Sequence, residues 1–502
     1  MNHLQVKRAR YYMDSSKKAP TQEQSHAVQC ALEGQKLKIS AYAGSGKTST
    51  LKMMGEAMDN RQCTYLAFNK AIATEAQSKF TRNVSCKTFH SLAYNAVPRY
   101  ITKKISNNRW MPSDMARQFG LRSFLIPLEK TPDKSAELNG WDQAMILNKA
   151  LDFFCRSNSN EVVIDHVMNA LPNWVHKKYA VELAHSLVPH ANRLWEMSID
   201  ERTQIKISHD VYLKLWSLSK PKIFGDTIFM DEAQDADPIM LDILEHQDAQ
   251  VIYVGDRHQQ IYAWRGALNA MQSVNAPECL LTKSFRFGES IANQANLILK
   301  KLLDEKVPLV GNEKLNSTVN ADVKPNAYLV RTNAGAFALA LDLVREGLRP
   351  RVEIDTSSVK RNIEDVKKLQ QSQPVQKTSE FFGFQNWEEV IRYVESNENC
   401  DLTPFVRLVQ KNDISVLEKV LESISQADGN CVVSTAHKSK GLEFSNVQLH
   451  NDYTWDPDAF KVGKPITNPA EARLIYVAAT RAINNLATGG MSEFFDKLKT
   501  KY

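Results

Sequence analysis

The sequence is poor in the features that mark secreted, disulfide-linked or zinc-ribbon proteins. Its 502 residues contain seven cysteines, none of them paired as C-x-x-C, which argues against a zinc ribbon and a disulfide framework. We expect free thiols at Cys30, Cys63, Cys86, Cys155, Cys279, Cys400 and Cys431. The basic stretch 1–18 lacks the apolar core of a secretory signal. We therefore expect a reducing compartment, and a bacterial or phage cytoplasm fits best.

Long hydrophobic runs are also missing. The apolar window 327–344 is interrupted by Arg331 and Asp342, and no window reaches the roughly 20 uncharged residues that a membrane span requires. Only 19 Gly and 18 Pro accompany 43% hydrophobic residues, which excludes a disordered or fibrous chain. The length exceeds what one core supports, so several domains are expected. A net charge of +6 is mild and leaves nucleic-acid binding open.

A phosphate-binding loop is present near the N-terminus. Residues 37–50 read LKISAYAGSGKTST, an apolar strand followed by a glycine-rich turn and a helix-forming stretch. Gly44 and Gly46 let backbone N–H groups face a phosphate, Lys47 reaches its β and γ oxygens, and Thr48 offers a hydroxyl to Mg²⁺. ATP and Mg²⁺ are the cofactors indicated. The remaining candidate nucleotide-binding residues of the loop are Ala43, Ser45 and Ser49.

Two carboxylates follow a second apolar strand, at Asp231 and Glu232. In P-loop enzymes such an Asp holds Mg²⁺, and the adjacent Glu orients and deprotonates the attacking water. An acidic loop alone is usually just solvated. Its combination with Lys47 favours hydrolysis, with Asp231 as the metal residue and Glu232 as the base.

Further motifs, in a fixed order, resemble those of the UvrD/Rep/PcrA helicases of superfamily 1. The Asp-Glu-Ala-Gln tetrad at 231–234 precedes VGDRHQQIYAWRGA at 254–267, a specific pairing. Other matching segments cover nearly the whole chain: Gln24, 88–90, 284–286, 435–444 and 476–482. Several segments look most like the F-box DNA helicases and their bacterial relatives: 67–70, 86–94, 209–216 and 284–287. About twenty residues precede Gln24, too few for an F-box, so a ubiquitin-ligase role is not carried over.

The resemblance assigns residues to the nucleotide. Gln24 would read the adenine and Phe285 would stack on it. Gln259 would sense the γ-phosphate, and Arg286 and Arg481 would stabilise its charge during hydrolysis. Glu443 matches an acid that contacts the ribose. Outside such a motif, a lone arginine is more often part of a surface salt bridge.

The resemblance also assigns residues to DNA. An aromatic face can stack on any base and so supports movement without sequence preference; Trp264 and Tyr262 are the strongest candidates. Phe68 and Phe89 fit a DNA contact and a core position equally well. His437 resembles a histidine that links DNA to the phosphate site. The other DNA-contact candidates are Thr88, His90 and Arg265.

The alternation of apolar strands and helical stretches predicts an α/β fold. The resemblance implies two RecA-like P-loop domains, each with an inserted, mainly helical subdomain, that close on one ATP. The expected divisions are an N-terminal extension at 1–19, a first core at 20–94 and 221–281 with its insertion at 95–220, and a second core at 282–349 and 430–502 with a short insertion at 350–429. Within the first insertion, the basic stretch 99–104 fits a solvated face better than a phosphate contact.

The activity implied is that of an ATP-dependent DNA helicase or translocase. It would move on single-stranded DNA, 3′ to 5′ by resemblance, and meet single-strand to double-strand junctions in repair, recombination or phage-related DNA metabolism. Alternatives are a translocase that strips recombinase filaments with little unwinding and a DNA-sensing ATPase subunit of a defence complex. A non-enzymatic module is disfavoured because the residues for hydrolysis are intact. No nuclease motif is evident, so cleavage would require a partner.

Overall fold

The computed structural model describes residues 19–106, 110–130, 133–262, 268–396, 402–424, 429–459 and 464–500. The chain divides into two units. Unit 1 comprises 1–41 and 46–281, and unit 2 comprises 42–45 and 282–502. Each unit contains one six-stranded parallel sheet. The prediction of two RecA-like α/β cores is confirmed.

The sheet of unit 1 has the order β3-β2-β6-β7-β1-β8, and every neighbouring pair is parallel. Its strands are β1 Leu37–Ala41, β2 Cys63–Leu66, β3 Val84–Lys87, β6 Thr227–Met230, β7 Gln250–Gly255 and β8 Glu278–Leu281. Strands β2, β6 and β7 are buried throughout. This explains their nearly continuous apolar character, because a parallel sheet is covered on both faces.

Helices follow most of these strands. The helices of unit 1 that flank the sheet are α1 Gln22–Leu32, α2 Lys47–Ala57, α3 Lys70–Lys79, α4 Phe89–Ala96, α11 Pro238–Glu245 and α12 Ala270–Ser273. Thr21 caps α1 in a reciprocal capping box with Gln24. Thr88 caps α4 through its hydroxyl, which accepts from Ser91 N. Local capping therefore starts two helices beside the predicted site.

Between β3 and β6 the chain is mainly helical. It contains α5 Arg99–Lys103, α6 Pro112–Phe119, α7 Gly140–Arg156, α8 Ile164–Met168, α9 Lys177–Ile199 and α10 His209–Leu218, with an antiparallel hairpin of β4 Phe124–Pro127 and β5 Ser135–Leu138. Lys104, expected on a solvated face, is buried instead. Its ammonium donates to Ser198 O at 3.3 Å and to Thr203 Oγ1 at 3.1 Å. These bonds stabilise the end of α9 and leave Lys104 little freedom to bind a phosphate.

The sheet of unit 2 has the order β11-β12-β10-β13-β14-β9, again parallel throughout. Its strands are β9 Thr318–Val319, β10 Ala327–Val330, β11 Pro350–Glu353, β12 Cys431–Thr435, β13 Phe444–Leu449 and β14 Ala482–Ala487. Its helices are α13 Glu289–Leu302, α14 Asn333–Arg345, α15 Thr356–Gln370, α16 Trp387–Ser396, α17 Thr403–Lys411, α18 Ile414–Ile424, α19 Pro469–Ala479 and α20 Ser492–Thr500.

The short second insertion is not a separate body. Strand β11, placed by the sequence at the start of this insertion, pairs with β12 and belongs to the sheet. One hydrophobic core joins Val330 and Phe337 of the sheet region to Phe381 and Leu417 of the insertion. The composition of 356–378, rich in Gln, Lys and Ser, predicts a polar linker or an exposed helix. Helix α15 occupies most of this stretch and buries Val359, Ile363, Val366 and Leu369. The amphipathic spacing of these side chains explains why one face of this polar helix is buried.

Within the described residues, every helix is too short or too polar to traverse a lipid bilayer. The six described cysteines are free thiols, as expected; Cys400 falls outside the described part of the chain.

Candidate ATP and DNA site

The phosphate-binding loop has the backbone geometry that the sequence predicted. Gly44 and Gly46 adopt φ angles of +74° and +82°, a left-handed region that side chains other than glycine rarely enter. Gly46 is the N-cap of α2, and helix α2 begins at Lys47. The loop thus runs directly from the carboxyl end of β1 to a helix N-terminus, which is the backbone arrangement that binds phosphate.

Lys47 points toward the paired carboxylates of the same unit. Its ammonium lies 3.6 Å from Glu232 Oε1, and the two side chains are 14% and 30% exposed. Because β1, β6 and β7 are parallel, their carboxyl ends lie at one edge of the sheet. This edge carries Lys47 after β1, Asp231 and Glu232 after β6, and Gln259 after β7.

Asp231 is buried and held by two donors. The Tyr65 hydroxyl donates to Asp231 Oδ2 at 2.6 Å, and Glu232 N donates to Oδ1 at 2.9 Å. Burial, followed by the charge of Glu232, raises the pKa of the Asp231 carboxyl to about 6, although Tyr65 and Lys47 oppose the shift. Burial and the nearby Asp231 also raise the pKa of Tyr65. The nearby Lys47 and Tyr65 therefore do not fully offset the cost of burying this carboxylate.

Glu232 is connected to the γ-phosphate sensor candidate through side-chain amides. Its φ angle is +51°, uncommon for a residue with a side chain. Gln234 Nε2 donates to the Glu232 carboxylate, and Gln234 Oε1 accepts from Asp256 N at 3.1 Å. Gln259 Nε2 in turn donates to Asp256 Oδ2 at 2.8 Å. The base candidate and Gln259 thus share one hydrogen-bonded network.

Gln24, expected to read adenine, is buried. Its Oε1 accepts from Thr21 N at 3.1 Å, and its Nε2 donates to Thr50 Oγ1 at 3.2 Å. Thr50 lies on α2, which follows the phosphate-binding loop. The carboxamide is therefore fixed in orientation while keeping a second N–H and a second lone pair for a base.

In unit 2 the arginine candidates already have partners. Arg286 Nε donates to Glu443 Oε1 at 2.8 Å, and its Nη1 donates to Thr480 O at 2.9 Å. Arg481 is 2% exposed and donates from Nε to Val477 O at 2.9 Å. These contacts use Nε and Nη1 of Arg286 and Nε of Arg481, among the five N–H donors that each guanidinium has. Glu443 is half-exposed, and in the structure it contacts an arginine.

Residues 42–45 of the loop belong to unit 2. Phe285 N donates to Gly44 O at 2.7 Å, and Ala43 N donates to the Tyr476 hydroxyl at 3.3 Å. The Phe285 side chain is 41% exposed, so its ring has a free face on which an adenine could stack.

The candidate DNA contacts differ in exposure. Phe68 is 51% exposed, whereas Phe89 is 4% exposed and lies in the core. Phe68, Thr88, Phe89 and His90 line one cavity together with Asp231 and Glu232. The cavity therefore connects the candidate DNA contacts to the carboxylates of the ATP site. For Phe89, the structure favours the core position.

His90 is oriented by residues of the helical segment. Its Nε2 lies 3.3 Å from Asp210 Oδ1, and Arg156 Nη2 lies 2.9 Å from Asp210 Oδ2. Burial opposes charge on Asp210, but His90 and Arg156 hold its pKa below the usual value. The ring of Tyr212 packs edge-on against His90. This network fixes His90 beside the cavity.

Six candidates remain, four for DNA and two for the nucleotide. Tyr262 and His437 are partly buried, and His437 follows the carboxyl end of β12. Trp264 and Arg265 lie outside the described residues, so their assignment to DNA stays a prediction. Thr48 and Ser49 are exposed on the first turn of α2.

The donors near Lys47 fit a magnesium nucleotide. Thr48 and Asp231 offer a hydroxyl and a carboxylate, the oxygen ligands that Mg²⁺ prefers. The buried Ser45 Oγ makes no hydrogen bond within the described part of the chain, as expected of a group that a phosphate oxygen would satisfy.

The motifs alone missed three supporting residues. Tyr65 positions Asp231, Gln234 connects Glu232 to Asp256, and Asp210 orients His90. Tyr65 carried no signal beyond its place in an apolar strand. Gln234 belongs to the quoted tetrad, and Asp210 to one of the matching segments. Only the sheet order shows that β2 lies beside β6.

A glycine-rich loop, a helix N-terminus and paired carboxylates on one edge of a parallel sheet define a RecA-like P-loop NTPase. Residues 20–275 match the UvrD/REP helicase N-terminal domain, and residues 349–490 match the UvrD-like helicase C-terminal domain. The chain belongs to the UvrD family of DNA helicases.

Relatives agree with this family. The chain is 32% identical to F-box DNA helicase 1 of Gallus gallus over 92% of its length and 28% identical to F-box DNA helicase protein 1 of Schizosaccharomyces pombe over 95%. It spans 48% and 58% of those two proteins. A probable DNA helicase II homolog of Mycoplasma genitalium is 33% identical over 20% of this chain and 16% of its own length. The two long matches are eukaryotic and lend no support to a bacterial or phage source.

Proposed function

We propose that this chain is a DNA-stimulated ATPase that moves 3′ to 5′ on single-stranded DNA and unwinds duplex at single-strand to double-strand junctions. The 3.6 Å approach of Lys47 to Glu232 at the edge of one parallel sheet carries the proposal. This proximity supports a role for Lys47 as the phosphate-binding cation and for Glu232 as the general base. The first core, 20–94 with 221–281, would bind ATP, and the second core, 282–349 with 430–502, would supply the arginines.

The catalytic roles follow from the chemistry of each side chain. Lys47 binds the β and γ oxygens of ATP. Thr48 and Asp231 would hold Mg²⁺, which would neutralise phosphate charge. Glu232 accepts the proton of the attacking water, and the Gln234 amide keeps its carboxylate oriented. Arg286 and Arg481 stabilise the charge that develops on the γ-phosphate.

Coupling to DNA is proposed through the cavity beside Asp231. Phe68 presents an exposed ring, and His90 is fixed by Asp210. A base stacked on Phe68 would lie near the segment that carries Glu232, because both line the same cavity. Movement of DNA and hydrolysis of ATP could then influence each other. Tyr262, Trp264 and Arg265 are proposed as further DNA contacts on the basis of the sequence motif.

The test compares ATP hydrolysis with and without single-stranded DNA, and then strand displacement from 3′-tailed and 5′-tailed duplexes. Glu232→Gln is the inactive control, because the carboxamide keeps the shape but cannot accept a proton. We expect DNA-stimulated hydrolysis and displacement from 3′ tails. Hydrolysis that DNA does not stimulate would refute the proposed motor function. Strand displacement only from 5′-tailed duplexes would refute the proposed 3′ to 5′ direction.

A filament-clearance assay in parallel separates unwinding from stripping. A role in repair or recombination, with a recombinase filament or a nuclease as partner, belongs to the same proposal. Clearance of a recombinase filament without strand displacement would replace the unwinding helicase by a stripping translocase.

A further inference from the structure

Three side chains that can bind metal meet where helix α1 packs against strand β8. His26 and Cys30 are four residues apart on α1 and so share one face of the helix. Cys279 lies on β8, the strand at one edge of the sheet of unit 1. One ligand atom from each residue lies within 4.8 Å of the other two. None of these residues takes part in the ATP or DNA site described above.

The spacing fits a small tetrahedral cation. Cys30 Sγ lies 3.6 Å from His26 Nε2. With Zn–S of about 2.3 Å and Zn–N of about 2.0 to 2.1 Å, two ligands of a tetrahedral zinc ion lie about 3.6 Å apart. Two sulfurs would lie about 3.8 Å apart by the same geometry, within the 4.8 Å limit of the cluster. A metal could therefore bind with small side-chain adjustments.

The three side chains differ in their exposure to solvent. Cys279 is buried, Cys30 is half-buried and His26 is exposed. The site is thus anchored in the core and remains open for entry from solvent.

We propose that His26, Cys30 and Cys279 form a three-ligand site for Zn²⁺ or a similarly thiophilic cation, with a fourth position open to water. Two sulfurs and an imidazole favour such a cation over Mg²⁺ or Ca²⁺, which prefer oxygen ligands. The bound ion clamps α1 to β8. Helix α1 also carries Gln24, whose amide donates to Thr50 and which is expected to read the adenine. The bound metal would therefore stabilise the position of this helix.

The test uses the full chain, reduced and kept free of oxygen, with Co²⁺ and Zn²⁺ as probes. We expect one Co²⁺ per chain with a thiolate-to-metal charge-transfer band that Zn²⁺ removes. Cys30→Ser and Cys279→Ser should each weaken the band and lower affinity at least tenfold. Cys86→Ser, a buried cysteine on β3 of the same sheet, is the matched control and should leave both unchanged.

A second measurement guards against misfolded variants. His26→Ala alters an exposed side chain and should keep the melting temperature without metal, yet lose at least tenfold in Zn²⁺ affinity. Zn²⁺ should raise the apparent Tm of the wild type and of Cys86→Ser, but not of Cys30→Ser. A missing charge-transfer band, or a band equally strong in all four variants, would overturn the proposal. A Cys30–Cys279 disulfide that forms readily while Zn²⁺ does not bind would also overturn it.

Discussion

The candidate catalytic and ribose-contact residues next to strands lie at opposite strand ends in the two units. Unit 1 carries its candidate catalytic residues at the carboxyl ends of its strands: Lys47 follows β1, and Asp231 follows β6. In unit 2, Glu443 and Arg481 directly precede β13 and β14, at the amino ends. A parallel sheet can therefore present either the carboxyl or the amino ends of its strands to a ligand, because helices cover its two faces but leave both ends open.

The units also differ in how firmly their charges are held. The carboxylates of unit 1 are fixed by Tyr65, by the backbone N–H of Glu232 and by Gln234. In unit 2, Arg286 contacts a half-exposed carboxylate that a phosphate could replace. We infer that the carboxylates of unit 1 are already oriented, whereas Arg286 would have to release Glu443 before Nε and Nη2 could bind a phosphate. The predictions below test this difference.

Removing the loop lysine should have the largest effect. Lys47→Ala deletes the cation that binds the γ-phosphate in both the ground state and the transition state, so ATP hydrolysis should fall below detection. Such a contact is expected to be worth well over about 1.4 kcal/mol. Lys52→Ala, which changes a partly buried lysine on the same helix, is the control and should hydrolyse ATP normally. Turnover by Lys47→Ala at a tenth of wild type would refute the phosphate-site assignment.

The arginine of unit 2 should come next. Arg286→Ala should lower kcat about 10³-fold, because a guanidinium at the γ-phosphate acts mainly in the transition state, with a smaller change in ATP affinity. Arg351→Ala breaks another arginine–glutamate pair of the same unit, Arg351 with Glu353, and should leave kcat unchanged. If both variants behave alike, the Arg286–Glu443 pair is only a surface salt bridge. Steady-state kinetics with saturating DNA decide between these outcomes.

The two phenylalanines near the cavity should separate into a core residue and a DNA contact. Phe89→Ala should destabilise unit 1 by about 3 to 5 kcal/mol, because it empties a buried position. Phe68→Ala should leave melting unchanged but weaken single-strand binding by about 1 to 3 kcal/mol. Thermal melting and fluorescence anisotropy measure the two effects. Normal DNA binding by a folded Phe68→Ala variant would show that Phe68 does not contact DNA.

The smallest effect concerns stability and pH. The pKa of Asp231 is about 6 in the folded chain and about 3.9 when unfolded, so stability falls as pH rises through this window and stays lower above it. Without Mg²⁺ or nucleotide, Asp231→Asn should therefore be more stable than wild type by about 1 to 3 kcal/mol at pH 8. The gain should vanish near pH 4. Melting in a chelating buffer at both pH values measures it.

An equal difference between the two chains at pH 4 and pH 8 would contradict this account, because only a titrating carboxyl makes the gain depend on pH. Asp231→Asn should nevertheless abolish hydrolysis, since a neutral amide is a poor ligand for Mg²⁺. A gain in stability together with a loss of activity would show that the burial of Asp231 serves function at a cost to the fold.

The local sequence was enough to predict the parts of the site that depend on short segments. Gly44, Gly46 and Lys47 act through backbone conformations and spacings within a few residues, so the loop could be recognised before the fold was known. The apolar strand before Asp231 and the alternation of strands with helical stretches likewise indicated an α/β fold. Chemistry that resides in one turn or at one strand end can be read locally.

Other features depend on neighbours that are distant in sequence. Tyr65 contacts Asp231 because β2 lies beside β6, 166 residues later in the chain. Packing also decides that Phe68 is exposed whereas Phe89 is buried. It likewise buries Lys104 and brings His26 and Cys30 close to Cys279. Cysteine spacing alone argued against a zinc ribbon, and a site shared by a helix and a distant strand has no spacing to detect. The sequence by itself determined the loop, the carboxylates and the α/β class, because these depend on short-range periodicity and backbone preference. Only the tertiary structure decided which side chains are buried, paired or brought together, because strand order and helix packing set those distances.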